Sequence, residues 1–185
     1  MRVFLSHRRG NLMVYLAARS PHRREAATRF WLLAHQLSQR SEAERLASIQ
    51  AGFGPCWIDA VRHAFHLGPQ QLEALLNASV STLERRQRQQ RSLDPVASER
   101  LDRVAMLASH ALHIFKTPER AGRWMITPDK AHGDRTPLQL CETGIGAAQA
   151  HRALAELDVK TLEQRPAIFL DALQRPVSTT TRPRT

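Results

Sequence analysis

Apolar residues recur along most of this chain at intervals of three and four, the repeat that lines one face of an α-helix. Phe30, Leu33 and Leu37 follow Ser20-Pro21, a cap residue and a first-turn proline, and predict an amphipathic helix. Ser41 with Glu44 three positions on makes a capping box, and Gly52 closes the segment, so a second short helix covers EAERLASI. These two helices are expected to pack as an N-terminal layer. The stretch WIDAVRHAFHLGPQQLEALLN, residues 57–77, reads as two helices broken at Leu67-Gly68, with Pro69 opening the second. Asn77 suits the left-handed turn between packed helices, and Ser79 caps a third helix, VSTLERRQRQQR, whose Leu83 points back toward Leu72 and Leu76. After Pro95, the residues Leu101, Val104, Ala108, Leu112 and Phe115 mark a long core helix.

Short helices and loops then alternate. Thr117-Pro118 opens a helix that ends at Trp124, and Thr127-Pro128 begins a loop that runs to Thr136. Thr136 and Pro137 start the next helix, the hydroxyl as cap and the proline in the first turn, where a missing N–H costs nothing. Thr143 caps a last helix with Ala147, Ala150, Leu154 and Leu157 facing inward, which makes Gly144-Ile145-Gly146 a helix start rather than a dinucleotide fingerprint. One further helical piece is expected around PAIFLDAL, residues 166–173, before a Pro, Thr and Arg tail expected to be disordered. The expected fold class is all-α.

Charge narrows the choice of partner. Lys and Arg total 27 against 17 Asp and Glu, a net charge of +10 carried mostly by arginine, so anionic partners are expected, nucleic acid first among them. The 185 residues suffice for one domain or two small ones, and 42% hydrophobic content suffices for a core. Cys56 and Cys141 lie far apart and outside any CxxC pattern, which fits a reducing cytoplasm. His63 with His66, and His110 with His113, stand three apart but lack a third ligand, so no metal is expected. No apolar run approaches the ~20 residues of a membrane span. Residues 1–24 carry arginines and no acid, as a basic arm, a surface helix or a transit peptide would. Carboxylates are scattered, no serine or cysteine has a histidine partner in a recognisable motif, and no phosphate-binding loop is present. The chain reads as a binder, not an enzyme, and needs no cofactor.

The helices around Asn77 have the layout of a helix-turn-helix, which would set the third helix in a DNA major groove. Ser79, Ser81 and Thr82 would stand at its N-terminal end, with Arg85, Arg86, Arg88 and Arg91 on phosphates or guanines. The motif is degenerate: Glu73 stands where alanine is preferred and Arg86 where an apolar residue is preferred. A purely solvated Arg/Gln face is the competing reading.

The run from Glu99 to Leu157 resembles the Xre/MbcA/ParS toxin-binding domain of antitoxins from bacterial RES-Xre type II toxin-antitoxin pairs. The resemblance rests on a long helix with Arg103, then Ala121 and Arg123-Trp124, Thr127-Pro128, Gly133 to Leu140, and Thr143-x-x-Gly146. The preceding LGPQQLEALLNASVSTLERR is similar to the family's degenerate Xre-like helix-turn-helix, so the likeness spans about residues 55–158. Asn77 in place of the usual turn glycine, Asp134 within the loop and the tail after Asp158 depart from the pattern.

The resemblance implies a homodimeric cytoplasmic antitoxin that blocks the active site of a RES-domain, NAD-consuming toxin and binds operator DNA to repress its own promoter. The chain is expected to divide into an N-terminal helical and basic segment over 1–52, the helix-turn-helix over 53–94, the toxin-binding domain over 95–158 and a C-terminal extension over 159–185. Toxin contacts would come from Arg123, Trp124, Pro128, Arg135, Thr136, Pro137, Leu138 and Arg152. Arg135, on a proline-stiffened turn, is either a pre-ordered cationic contact for the toxin or a salt-bridge partner within its own domain. The alternative to an antitoxin is a stand-alone helix-turn-helix transcriptional regulator.

Overall fold

The computed structural model describes residues 21–158. The expected cap Ser20, the basic residues before it, the PAIFLDAL helix and the tail lie outside the described residues. Within them the chain is helical, with one isolated β-bridge and no strand. The helices are α1 (Pro21–Ser38), α2 (Glu42–Ala51), α3 (Cys56–Ala64), α4 (Pro69–Leu76), α5 (Val80–Arg88), α6 (Pro95–Phe115), α7 (Pro118–Met125), α8 (Pro137–Leu140) and α9 (144–158).

The sequence signals for helix starts are realised atom by atom. Ser41 and Glu44 form the reciprocal capping box of α2, and Ser79, Asp94, Thr117 and Thr136 each accept an N–H from the first turn of the helix they begin. Asn77 is left-handed, with φ 53° and ψ 39°, which turns α4 into α5. α5 stops at Arg88 rather than Arg91. Gln90 takes φ 51°, and the Arg91 N–H bonds back to the Arg86 carbonyl at 2.9 Å, closing the helix in a Schellman-type turn. The loop after Thr127 is more ordered than its composition suggests: it holds a 3₁₀ turn at Lys130–His132 and is closed by the bridge between Asp129 and Arg135.

The expected N-terminal layer is not a layer. α1 lies across α3 and α6, and its Phe30, fully buried, meets Phe65 at a ring-centre distance of 4.9 Å and Trp57 at 6.1 Å. α2 has no buried side chain. It is held on α6 by Arg45, whose guanidinium grips Asp102 with two hydrogen bonds, the Nε–H to Oδ1 at 2.9 Å. The Asp102 side chain is only 7% exposed, so this pair is what lets a carboxylate sit inside the fold. It holds the Arg45 pKa above its usual value, chiefly through that hydrogen bonding.

The long helix α6 ties helices that precede it to the helix that follows it. Leu101, Val104, Ala105, Leu107, Ala108 and Ala111 are fully buried along it, with α1, α2 and α4 packed on it and α7 beside it. One apolar core therefore runs from Phe30 through α6 to Leu154 of α9.

Candidate functional site

α5 leaves one side chain in the core, Leu83, which shares the core cluster with Leu72 and Leu76 of α4. The rest of the helix faces outward. Ser79, Ser81, Arg85, Arg88 and Arg91 are exposed, whereas Thr82 and Arg86 are half-buried. Arg86 is bound into the fold, its guanidinium donating to the Ser92 carbonyl and lying 3.6 Å from the Asp94 carboxylate, so that it clamps the turn between α5 and α6. That explains an arginine where an apolar residue would serve as filler. The N-terminal hydroxyls are engaged with one another, Ser79 Oγ lying 3.1 Å from Ser81 Oγ and donating to Thr82 Oγ1 at 2.9 Å. Glu73, out of pattern in the sequence, reaches over from α4 to accept the Val80 N–H at 2.7 Å and so caps α5 from outside. Arg100 of α6 donates to the Ala74 and Leu75 carbonyls, satisfying the C-terminal end of α4.

The second surface is built by α7, the bridged loop, α8 and the start of α9. Thr136 and Gln139 form a reciprocal capping box for α8, and Pro137 and Leu138 are buried under it. The Arg135 guanidinium donates to the Gln139 carbonyl at 2.8 Å and lies 3.5 Å from the Glu142 carboxylate, while its side chain stays 44% exposed. It therefore braces the turn from outside. Arg123, Pro128 and Arg152 are exposed; Trp124 is half-buried against Phe115, their ring centres 6.1 Å apart. A cleft of about 280 Å³ separates this surface from the α3–α4 corner, with Leu67, Leu75 and Leu138 on its walls and His66, Gln139 and Glu142 at its polar side.

Gly146 is the residue on which the two short helices meet. A Cβ there would stand 2.2 Å from the Leu140 carbonyl oxygen, so only glycine lets α9 begin against the end of α8. Its N–H takes the Thr143 hydroxyl at 3.0 Å. Beneath, Cys141 is fully buried, and burial pushes its thiol up to about 12.

Of the two histidine pairs spaced three apart, His63 and His66 are not held on one helix, whereas His110 and His113 both lie on α6. His66 lies beyond the end of α3 with φ 54°, off the face that carries His63. His110 instead meets His151 of α9, Nδ1 to Nδ1 at 3.2 Å with ring centres 5.4 Å apart. The difference between those distances is about two ring radii, so the nitrogens face each other along the line of centres, one donating and one accepting, rather than stacking. Burial lowers both pKa values. Among the described residues no group of three or more His, Cys, Asp or Glu is placed to hold a metal, and no helix is long and apolar enough to cross a membrane. The contacts of Glu73, Glu142 and His151 were not legible in the sequence because their partners belong to a different element or lie several residues away.

A helix-turn-helix joined through one long helix to a small helical domain with an exposed, braced turn defines a two-part binding protein. Residues 36–106 match the antitoxin Xre-like helix-turn-helix domain, and residues 110–158 match the antitoxin Xre/MbcA/ParS C-terminal toxin-binding domain. The two matches take in well over half of the chain, meet within α6, and place this protein among the Xre/MbcA/ParS-type antitoxins. The first begins upstream of the stretch that carried the resemblance, taking in the end of α1 and all of α2. No curated protein matches the chain closely enough to serve as a relative.

Proposed function

We propose that this antitoxin neutralises a RES-domain, NAD-consuming toxin by covering its active-site cleft, and that as a cytoplasmic homodimer it represses its own promoter. It acts by binding, not by catalysis. DNA contact falls to residues 53–94 and toxin contact to residues 95–158. The observation that carries the reading is that the dispersed motif pieces form one surface: Arg123-Trp124, Thr127-Pro128, the Arg135 turn and Thr143 to Gly146 are joined by the Asp129–Arg135 bridge, the Thr136 cap and the Gly146 contact. The exposed guanidinium groups of Arg123 and Arg152 are free to pair with carboxylates on the toxin. Because Arg135 is held by its own domain, its part is to brace the turn, and direct pairing falls to Arg123 and Arg152.

Co-expression with a RES-domain toxin, sought in the reading frame beside this gene, tests the proposal. The parent protein should co-purify with the toxin and keep cellular NAD at its normal level, whereas Arg123→Ala with Arg152→Ala should let NAD fall. A toxin that co-purifies yet consumes NAD at its free rate refutes cleft covering. No RES reading frame beside this one, with promoter binding intact, favours the stand-alone regulator.

A further inference from the structure

A helix-turn-helix ordinarily offers the N-terminus of its second helix to DNA, where free N–H groups and the positive end of the dipole attract phosphate. Here two of those N–H groups, of Val80 and Thr82, are already taken. Glu73 holds the Val80 N–H, Ser79 Oγ holds the Thr82 N–H at 3.3 Å, and the remaining hydroxyls satisfy each other. The occupant at Val80 is an acid, so it offsets the positive end of the helix dipole and repels any phosphate brought to the same place.

The opposite end has the reverse character. Arg85, Arg88 and Arg91 are exposed there, at and just before a turn fixed by the Gln90 left-handed residue, the Arg91–Arg86 backbone bond and the Arg86 clamp onto Ser92. Asp94, the nearest acid beyond the turn, is taken up by Arg86 at 3.6 Å and by capping Ala97 of α6 at 2.9 Å. Two arginines in the last turns of α5 and one on the fixed turn after it offer a phosphate-binding edge on a backbone that needs no reordering on contact.

We propose that Glu73 bars phosphate from the N-terminus of α5, so that this helix-turn-helix grips the backbone of duplex DNA through the arginine edge at the C-terminal end of α5. The inference rests on α5 being the DNA-contact helix and adds which end docks and what excludes the other. It makes Glu73 a positioning residue, acting through charge on where the duplex lies.

The test uses the full chain, a labelled duplex from upstream of its own gene and an unrelated duplex, with affinity followed against salt. Glu73→Gln keeps the acceptor for Val80 and removes the charge; it should bind both duplexes about threefold to tenfold more tightly. Arg88→Ala with Arg91→Ala should weaken binding and reduce the salt slope by about two. Ser81→Glu adds a second acid at an exposed first-turn position where acids suit the helix, so folding is preserved. It should change affinity by less than about threefold, whereas docking through the N-terminus would cost more than about tenfold. Equal or weaker binding by Glu73→Gln, or a large loss in Ser81→Glu, with the arginine variant still weakened, overturns the inference and leaves α5 as the contact helix. An arginine variant that binds as the parent does overturns the contact itself.

Discussion

Two glycines stand two positions apart at the start of α9, and replacing each with alanine should have opposite results. At Gly146 the new Cβ would lie 2.2 Å from the Leu140 oxygen and 3.0 Å from both the Leu140 carbonyl carbon and Thr143 Oγ1. An unstrained carbon-to-oxygen contact needs about 3.3 Å, so the first turn of α9 must move by about 1 Å. Both obstructing Leu140 atoms are backbone, so no side chain can swing aside. The shift pulls Ala147 and Ala150 from their buried positions in the core and loosens the Thr143 cap. Strain of about 1–3 kcal/mol with part of a cap's roughly 0.5–2 kcal/mol gives about 2–4 kcal/mol in all. For a chain of this size that lowers the melting temperature by about 5–15 °C. At Gly144, exposed, the nearest atom to a Cβ is Arg103 Nη1 at 3.7 Å, an ordinary contact. Alanine there should be neutral or add up to about 1 kcal/mol by restricting the unfolded chain. Urea unfolding followed by circular dichroism reads both, and toxin pull-down at a temperature where both are folded reads the displacement of Arg152. A Gly146→Ala protein within about 0.5 kcal/mol of the parent would refute the account of the α8–α9 junction.

Arg45→Ala strands the Asp102 carboxylate and should cost about 3–5 kcal/mol, while Arg45→Met combined with Asp102→Leu should recover most of it; a double-mutant cycle in urea measures the difference. His110 and His151 have pKa values lowered by burial, so the unfolded chain binds more protons as pH falls below its own histidine range; stability, full above about pH 6.5, should decline toward pH 5, seen in the urea midpoint. Substituting both with phenylalanine should flatten that dependence. Thiol labelling at pH 8 should modify exposed Cys56 at once and Cys141 only on unfolding, because Cys141 is fully buried with its thiol near 12.

Helix starts and stops were legible in the sequence because a cap is a local device: Ser41 and Glu44, Asn77, Ser79, Thr117 with Pro118, and Thr136 with Pro137 act within three or four residues. The apolar repeat marked α6 for the same reason, and the pieces of the toxin-binding motif stood in order along the chain. Side-chain alliances between elements were not legible. Glu73 looked like a defect of the helix-turn-helix until Val80 was found beside it, and Arg86 looked like a DNA contact until Ser92 and Asp94 claimed it. Arg135 was open to two readings, and only the approach of Gln139 and Glu142 showed the side chain bracing its own turn. Nor did spacing reveal that His110 belongs with His151 rather than His113, or that α2 hangs from Asp102. Local pattern specifies which backbone segments become helices, because propensity and capping act over a few residues. Which polar groups meet is decided when distant helices close on one core, because each buried charge and N–H must then take whatever partner the packing brings within reach.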